Sequence, residues 1–289
     1  MASDLDPSFR VIPCNGVKLH LAEAGPQDGP LLILLHGFPE FWYGWRHLIG
    51  PLAAAGYHVI VPDQRGYNLS DKPAGIASYR LDRLAGDVIG LADQYHAEQI
   101  FLAGHDWGAI VAWWVAQTRP ERLAGSVTLS AGHPAVWKWQ MRHEPVQRQL
   151  SRYVRIFQLP WLPELALRRH NYRLGCDAIG DGAAPGAITA ADLQRYRAAW
   201  SQKGALRGAV NWYRALAREE LAPPSSYRVL PPMLMLWGEN DRYGTARIGE
   251  DSIRLCADGR LEIIAGANHW LLRDVPAQVV AHMRTFFGQ

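Results

Sequence analysis

Cysteine is scarce in this 289-residue chain. Cys14, Cys176 and Cys256 lie far apart, with no metal-ligand spacing and no motif that would make one a nucleophile. An odd, sparse set of thiols suits a reducing cytoplasm. Long apolar runs are also missing: LLILL at 31–35 and WGAIVAWWVA at 107–116 fall well short of a membrane span. Nor is one sign of charge in excess, since 30 Lys and Arg face 27 Asp and Glu for a net +3. The densest basic point, Arg168-Arg169-His170, reads as a solvated helix face, so nucleic-acid binding is not expected. The first residues, MASDLDPSFRVIP, have no basic segment followed by an apolar one, so no secretory signal is expected. None of the eleven histidines falls in an H-E-x-x-H arrangement, and neither Gly-rich phosphate loops nor G-x-S-x-G occur. Metal sites, nucleotide cofactors and an ordinary serine esterase are set aside.

What remains is a globular composition, 48% hydrophobic and 20% charged. Residues 9–24 read as two strands around the turn Asn15-Gly16. Then apolar strands alternate with helical stretches: LLILLH, HVIVPD at 58–63, QIFLAG, LAGSVTLS at 123–130, MLMLWG at 233–238 and LEIIAG at 261–266. Continuous apolar runs indicate strands buried on both faces, and the alternation argues for an open, mostly parallel α/β sheet. The rhythm breaks from about Pro134 to Ser226, where only helical patterns occur; one of them starts on a capping-box-like Thr189 and Asp192. The expected organisation is a core of residues 1–133 and 227–289, with a helical insertion at 134–226 after the sixth strand.

Chemistry concentrates at strand ends. FLAGHDWGAIVAWW at 101–114 has the form of a strand, a Gly-x-x-x-Gly turn and a helix, with Asp106 where a nucleophile elbow usually carries serine. A competing reading makes Asp106 a simple helix N-cap. Three features favour the elbow. HGFPE at 36–40 follows a buried strand and offers backbone N–H groups. Asp241 follows MLMLWG, and His269 follows LEIIAG. Nucleophile, acid and histidine then come in the order of a hydrolase triad, each past a strand end where open α/β sheets bind ligands.

HGFPE, GHDWGA, GENDRYG and GANHW together resemble the α/β-hydrolase-fold epoxide hydrolases, from about residue 9 to the C-terminus. DQRGYNLSDKP at 63–73 resembles a further family loop, with Asn68 where glycine is typical. The resemblance implies an α/β-hydrolase fold with a helical cap. It maps ring-opening tyrosines to Tyr213, in GAVNWYRAL, and to Tyr153, in SRYVRIFQLP, with Tyr172 and Tyr196 as competitors. It implies that Asp106 attacks saturated carbon, that His269 oriented by Asp241 activates water, and that the N–H groups of Phe38 and Trp107 form the oxyanion hole. His36, Pro39, Trp42 and Trp212 are expected at the substrate, though His36 and His105 read better as backbone braces. Haloalkane dehalogenases share Trp107 but typically carry Asn at the position of Phe38; fluoroacetate dehalogenases carry arginines that this chain lacks. The expected reactants are a small, neutral, largely apolar epoxide and water, with no cofactor. Halide hydrolysis and a non-catalytic ligand-binding scaffold are the alternatives, and the sequence leaves a homodimer open.

Overall fold

The computed structural model describes residues 7–288; the stretch read for a secretory signal begins outside that range. Ser8–Cys14 (β1) and Val17–Ala24 (β2) form an antiparallel hairpin, with Asn15 and Gly16 both at positive φ. A two-residue turn that follows the strand twist requires that conformation, and Asn-Gly tolerates it. Leu31–Leu35 (β3), His58–Pro62 (β4), Ile100–His105 (β5), Leu123–Leu129 (β6), Met233–Gly238 (β7) and Gly259–Ile264 (β8) complete an eight-stranded sheet ordered β1-β2-β4-β3-β5-β6-β7-β8. β2 pairs antiparallel with β4, and all remaining pairings are parallel.

The apolar runs lie in the middle of this sheet, and every residue of β3, β4 and β7 is buried. Side chains alternate across a strand, so Leu31, Ile33 and Leu35 enter one apolar cluster while Leu32 and Leu34 enter another. Helices Arg46–Ala54 (α1), Leu81–Gln94 (α2) and Trp107–Thr118 (α3) cover the first half of the sheet. α3 is apolar nearly all round, and nine of its residues, from Trp107 to Ala116, are buried.

Between β6 and β7 come Pro134–His143 (α4), Pro145–Leu150 (α5), Arg152–Ile156 (α6), Leu162–Gly180 (α7), Ala190–Ser201 (α8) and Ala205–Arg218 (α9). Among the described residues this stretch contains no strand. α8 begins on the expected capping box: the Thr189 hydroxyl accepts the Asp192 N–H at 3.1 Å, and the Asp192 carboxylate accepts the Thr189 N–H at 2.8 Å. α7 is not one helix, because Arg169–Tyr172 leave helical geometry and His170, Asn171 and Tyr172 take positive φ. Ala246–Ile253 (α10), Leu271–Asp274 (α11) and Pro276–Phe287 (α12) complete the chain.

The turn from β5 into α3 is tight enough to demand glycine. A Cβ on Gly104 would lie 2.2 Å from the Gly108 carbonyl oxygen, and one on Gly108 would lie 2.1 Å from that of Leu35. Backbone on both sides leaves nothing flexible to yield. Gly108→Ala is therefore expected to lose about 3 kcal/mol or more in denaturant unfolding. Gly180→Ala, whose Cβ would meet nothing within 4 Å, is expected to stay within about 0.5 kcal/mol of the parent.

Candidate active site

Asp106 stands between β5 and α3 with φ 51° and ψ −116°, a strained conformation for a residue with a side chain. Its carboxylate makes no capping hydrogen bond to the helix it precedes. Instead Oδ1 accepts the backbone N–H of Phe38 at 2.8 Å. That contact separates the elbow from the N-cap reading. The approach depends on Gly37, where a Cβ would come within 2.6 Å of Oδ1. Trp107 opens α3, so its N–H is one of the first-turn donors that have no partner inside the helix.

The loops after β7 and β8 bring the other two groups to the same point. His269 Nδ1 lies 2.8 Å from Asp241 Oδ2, and His269 Nε2 lies 3.7 Å from Asp106 Oδ2. The Asp241 side chain is fully buried and its Oδ1 also accepts the N–H groups of Tyr243 and Gly244, at 2.7 and 3.2 Å. Burial alone would push the His269 imidazole down, but the charge and hydrogen bond of Asp241, followed by the charges of Asp106 and Glu40, override it and leave the pKa raised.

The His269 backbone is held as firmly as its ring. Its carbonyl accepts the Ser130 hydroxyl at 3.0 Å and His105 Nε2 at 2.9 Å. His105 Nδ1 faces the buried Glu40 carboxylate at 3.2 Å, and Glu40 also accepts the Tyr196 hydroxyl at 3.0 Å. Burial drives the Glu40 pKa up, yet the contacts with His105 and Tyr196 reverse this and keep it ionised. Both ring nitrogens of His105 are thus engaged, one at Glu40 and one at the His269 carbonyl. Tyr196 is thereby engaged away from the nucleophile. His36 is a brace too, with its ring nitrogens on the Gly37 carbonyl and the Gln64 N–H.

A cavity opens over Asp106, and Trp107, Tyr153, Tyr213, Tyr243 and His269 line it. The Tyr153 and Tyr213 rings lie 5.9 Å apart, and Tyr213 packs edge-on against Trp107 at 4.7 Å. Burial raises both tyrosine pKa values. The Asp106 charge adds to the rise, with the other tyrosine adding at Tyr213, while Tyr213 at Tyr153 and Trp107 at Tyr213 oppose it. Both hydroxyls therefore keep their protons. Tyr172 packs on Trp200 and lines a different cavity, so of the competing tyrosines Tyr153 is the one that reaches Asp106.

Of the expected substrate contacts, His36, Pro39, Trp42 and Trp212 are not among the residues lining this cavity, and Pro39 lines a neighbouring one. Trp212 is fully buried and donates its indole N–H to the Arg65 carbonyl at 3.1 Å. Trp42 packs against Phe9 and Phe41. Pro39 accepts the Trp200 indole N–H at 2.6 Å, and His36 is consumed by the loop. In their place Trp137, Tyr243, Ile110 and Ile248 form the wall. Sequence reasoning missed Tyr243, whose ring lies 4.7 Å from that of His269; its signal was its place two residues after Asp241. Among the described residues no group of three or more His, Cys, Asp or Glu is placed to hold a metal ion.

A family model described as alpha/beta hydrolase fold matches residues 30–274. Epoxide hydrolase A of Mycobacterium tuberculosis is 33% identical over 97% of both chains, and epoxide hydrolase 2 of Caenorhabditis elegans is 32% identical over 98% of this chain and 80% of its own. The chain belongs to the α/β-hydrolase-fold epoxide hydrolase family. The AB hydrolase superfamily protein YfhM of Bacillus subtilis is 48% identical over 92% of both chains. Among solved structures, the Bacillus megaterium epoxide hydrolase in complex with an inhibitor superposes with TM-score 0.87 at 28% identity, covering 97% of this chain and all of the other.

In this epoxide hydrolase, Asp241 is the largest influence holding the His269 pKa up. Asp241→Asn is expected to move the His269 ring titration to lower pH, read by NMR of its Cε1 proton. Asp106→Asn should move it in the same direction by less. An unchanged titration in Asp241→Asn would mean that the 2.8 Å contact does not set the ring's charge.

Proposed function

We propose that this enzyme hydrolyses epoxides to vicinal diols through an ester of Asp106. Residues 134–226 act as the cap, because they bring Tyr153 and Tyr213 over a nucleophile supplied by the core. Asp106 Oδ1 is occupied by the Phe38 N–H, which leaves Oδ2 as the attacking oxygen. Oδ2 bonds to a ring carbon, one carbon–oxygen bond of the epoxide breaks, and the departing oxygen takes a proton from a cap tyrosine. His269 Nε2 then takes a proton from water, whose oxygen bonds to Cγ of Asp106. The oxyanion forms on Oδ1, where the N–H groups of Phe38 and Trp107 receive it, an interaction worth about 3–4 kcal/mol per donor in comparable sites. Collapse expels the diol oxygen, which takes the proton back from His269. The carboxylic acid left on Asp106 releases its proton, and the tyrosine is restored.

The observation that carries this reading is the pair of protonated tyrosines facing an aspartate nucleophile across one cavity. A departing halide needs no proton, so halide hydrolysis would leave both hydroxyls without a task. An intact, hydrogen-bonded triad likewise argues against a scaffold that only binds ligand. The wall is aromatic and aliphatic, with no arginine among its residues, which supports a neutral, largely apolar epoxide. Cys14, Cys176 and Cys256 are free thiols, which supports a cytoplasmic setting.

A single turnover in oxygen-18 water is expected to give a first diol that is unlabelled, because its new oxygen comes from Asp106. Full label in the first diol would mean direct attack by water. His269→Gln mixed with styrene oxide should accumulate a protein heavier by one substrate, visible by intact-mass spectrometry. Tyr213→Phe is expected to slow formation of that adduct by about 100-fold or more, while hydrolysis of any adduct formed changes less. Equal slowing of both half-reactions would remove Tyr213 from the ring-opening step.

A further inference from the structure

The outer face of the insertion carries a pattern that this chemistry does not use. Pro160 and Pro163 bracket a turn in which Trp161 takes φ 50° and ψ −19°, a left-handed conformation that is costly for a bulky residue. The turn projects Trp161 into solvent, where it is 67% exposed. Ile156, Leu159, Leu162 and Leu165 beside it are also exposed. A single exposed leucine is ordinary, but five large apolar side chains along one short segment mark a surface that something covers.

Charge indicates what covers it. Trp161 and the exposed Leu69 line an open groove together with Arg168, Lys203, Arg207 and Arg218. The lining holds six cationic side chains against Asp71 and Glu164, an excess of four positive charges on one face of a chain whose net charge is +3. Glu164 is already paired with Arg214 at 2.6 Å. The four exposed cations take part in no ion pair among the described residues. Strain, exposed apolar area and unpaired positive charge coincide at one place.

We propose that this face docks on an anionic lipid surface. Trp161 and its neighbouring leucines enter the boundary between headgroups and acyl chains, and the arginines and Lys203 meet lipid phosphates. A second copy of this chain fits poorly, because a two-fold axis would set the cationic patch against itself. Nucleic acid would satisfy the cations and leave the apolar turn in water. No helix among the described residues is long and apolar enough to cross a membrane, so attachment is peripheral. The proposal does not depend on the reaction assigned to Asp106.

Flotation of the whole protein with vesicles tests it, using phosphatidylcholine alone or mixed with phosphatidylglycerol. Binding is expected with the mixed vesicles only and should weaken as salt is added. Each charge removed is expected to lower partitioning roughly fivefold. Arg168→Glu combined with Arg207→Glu should therefore reduce it by more than about tenfold, and Trp161→Asp should reduce it by a similar factor. Unchanged circular dichroism and melting temperature would show that these exposed substitutions leave the fold intact. Absence of phosphatidylglycerol-dependent binding, or binding that survives both variants, overturns the proposal. So does a lipid-free dimer in sedimentation velocity that Trp161→Asp dissolves, because the face would then belong to a second copy.

Discussion

The site depends on one carboxylate being left partly unsatisfied. Asp106 and Asp241 are chemically identical, yet the fold treats them differently. Asp241 has no exposed side-chain surface and takes three hydrogen bonds, from His269, Tyr243 and Gly244. Asp106 takes one strong bond on Oδ1 and leaves Oδ2 facing His269 at 3.7 Å across an apolar cavity. Donors that hold a carboxylate also hold its charge in place and weaken it as a nucleophile. Two acids thus acquire two roles from their surroundings alone. The strained backbone at Asp106 keeps its side chain aimed at the cavity instead of folding back onto α3 as a cap.

The same charge times the steps that follow. Ionised Asp106 raises the pKa of Tyr153 and of Tyr213, and it contributes to the raised pKa of His269. In the proposed reaction, ester formation would remove that charge. The tyrosines would then give up a proton more readily, at the moment the proposed alkoxide appears beside them. His269, released from part of the field that held its proton, becomes neutral more easily, as a general base must be. On that reading, consumption of one negative charge shifts three titratable groups in useful directions.

What the sequence revealed and what it hid follow from locality. The elbow was legible because β5, two close-packed glycines and an apolar helix are adjacent in the chain. Asp241 and His269 were legible because strand ends mark the reactive edge of a parallel sheet. The pocket wall was not. Tyr213 and Trp212 are neighbours, but successive residues on a helix point about 100° apart. With Tyr213 turned to Asp106, Trp212 is directed into the core and onto the Arg65 carbonyl. Tyr243 escaped notice because it reaches His269 only when its loop curls round the Asp241 carboxylate. The break in α7 was invisible for a related reason: Arg169–Tyr172 leave the helix where side chains such as Tyr172 pack on α8.

The helical insertion is hydrogen-bonded to the core beside the chemistry. Trp200 donates to the Pro39 carbonyl, Tyr196 to Glu40 and Trp212 to Arg65, so α8 and α9 are hydrogen-bonded to the loop that presents Phe38 and to the loop after β4. The Phe38 ring packs edge-on against Tyr213 at 5.4 Å while its N–H holds Asp106. One residue therefore positions both Asp106 and Tyr213, the proposed nucleophile and acid. A proton donor misplaced by about 1 Å loses most of its value, so α9 and α6, which carry Tyr213 and Tyr153, both have to be held in place. The outward side chains of Ile156, Leu159, Trp161 and Leu162 meet no such demand. Their freedom to be tryptophan and leucine is what would allow one insertion to combine the proposed acids on its inner face with the proposed lipid-docking surface on its outer one.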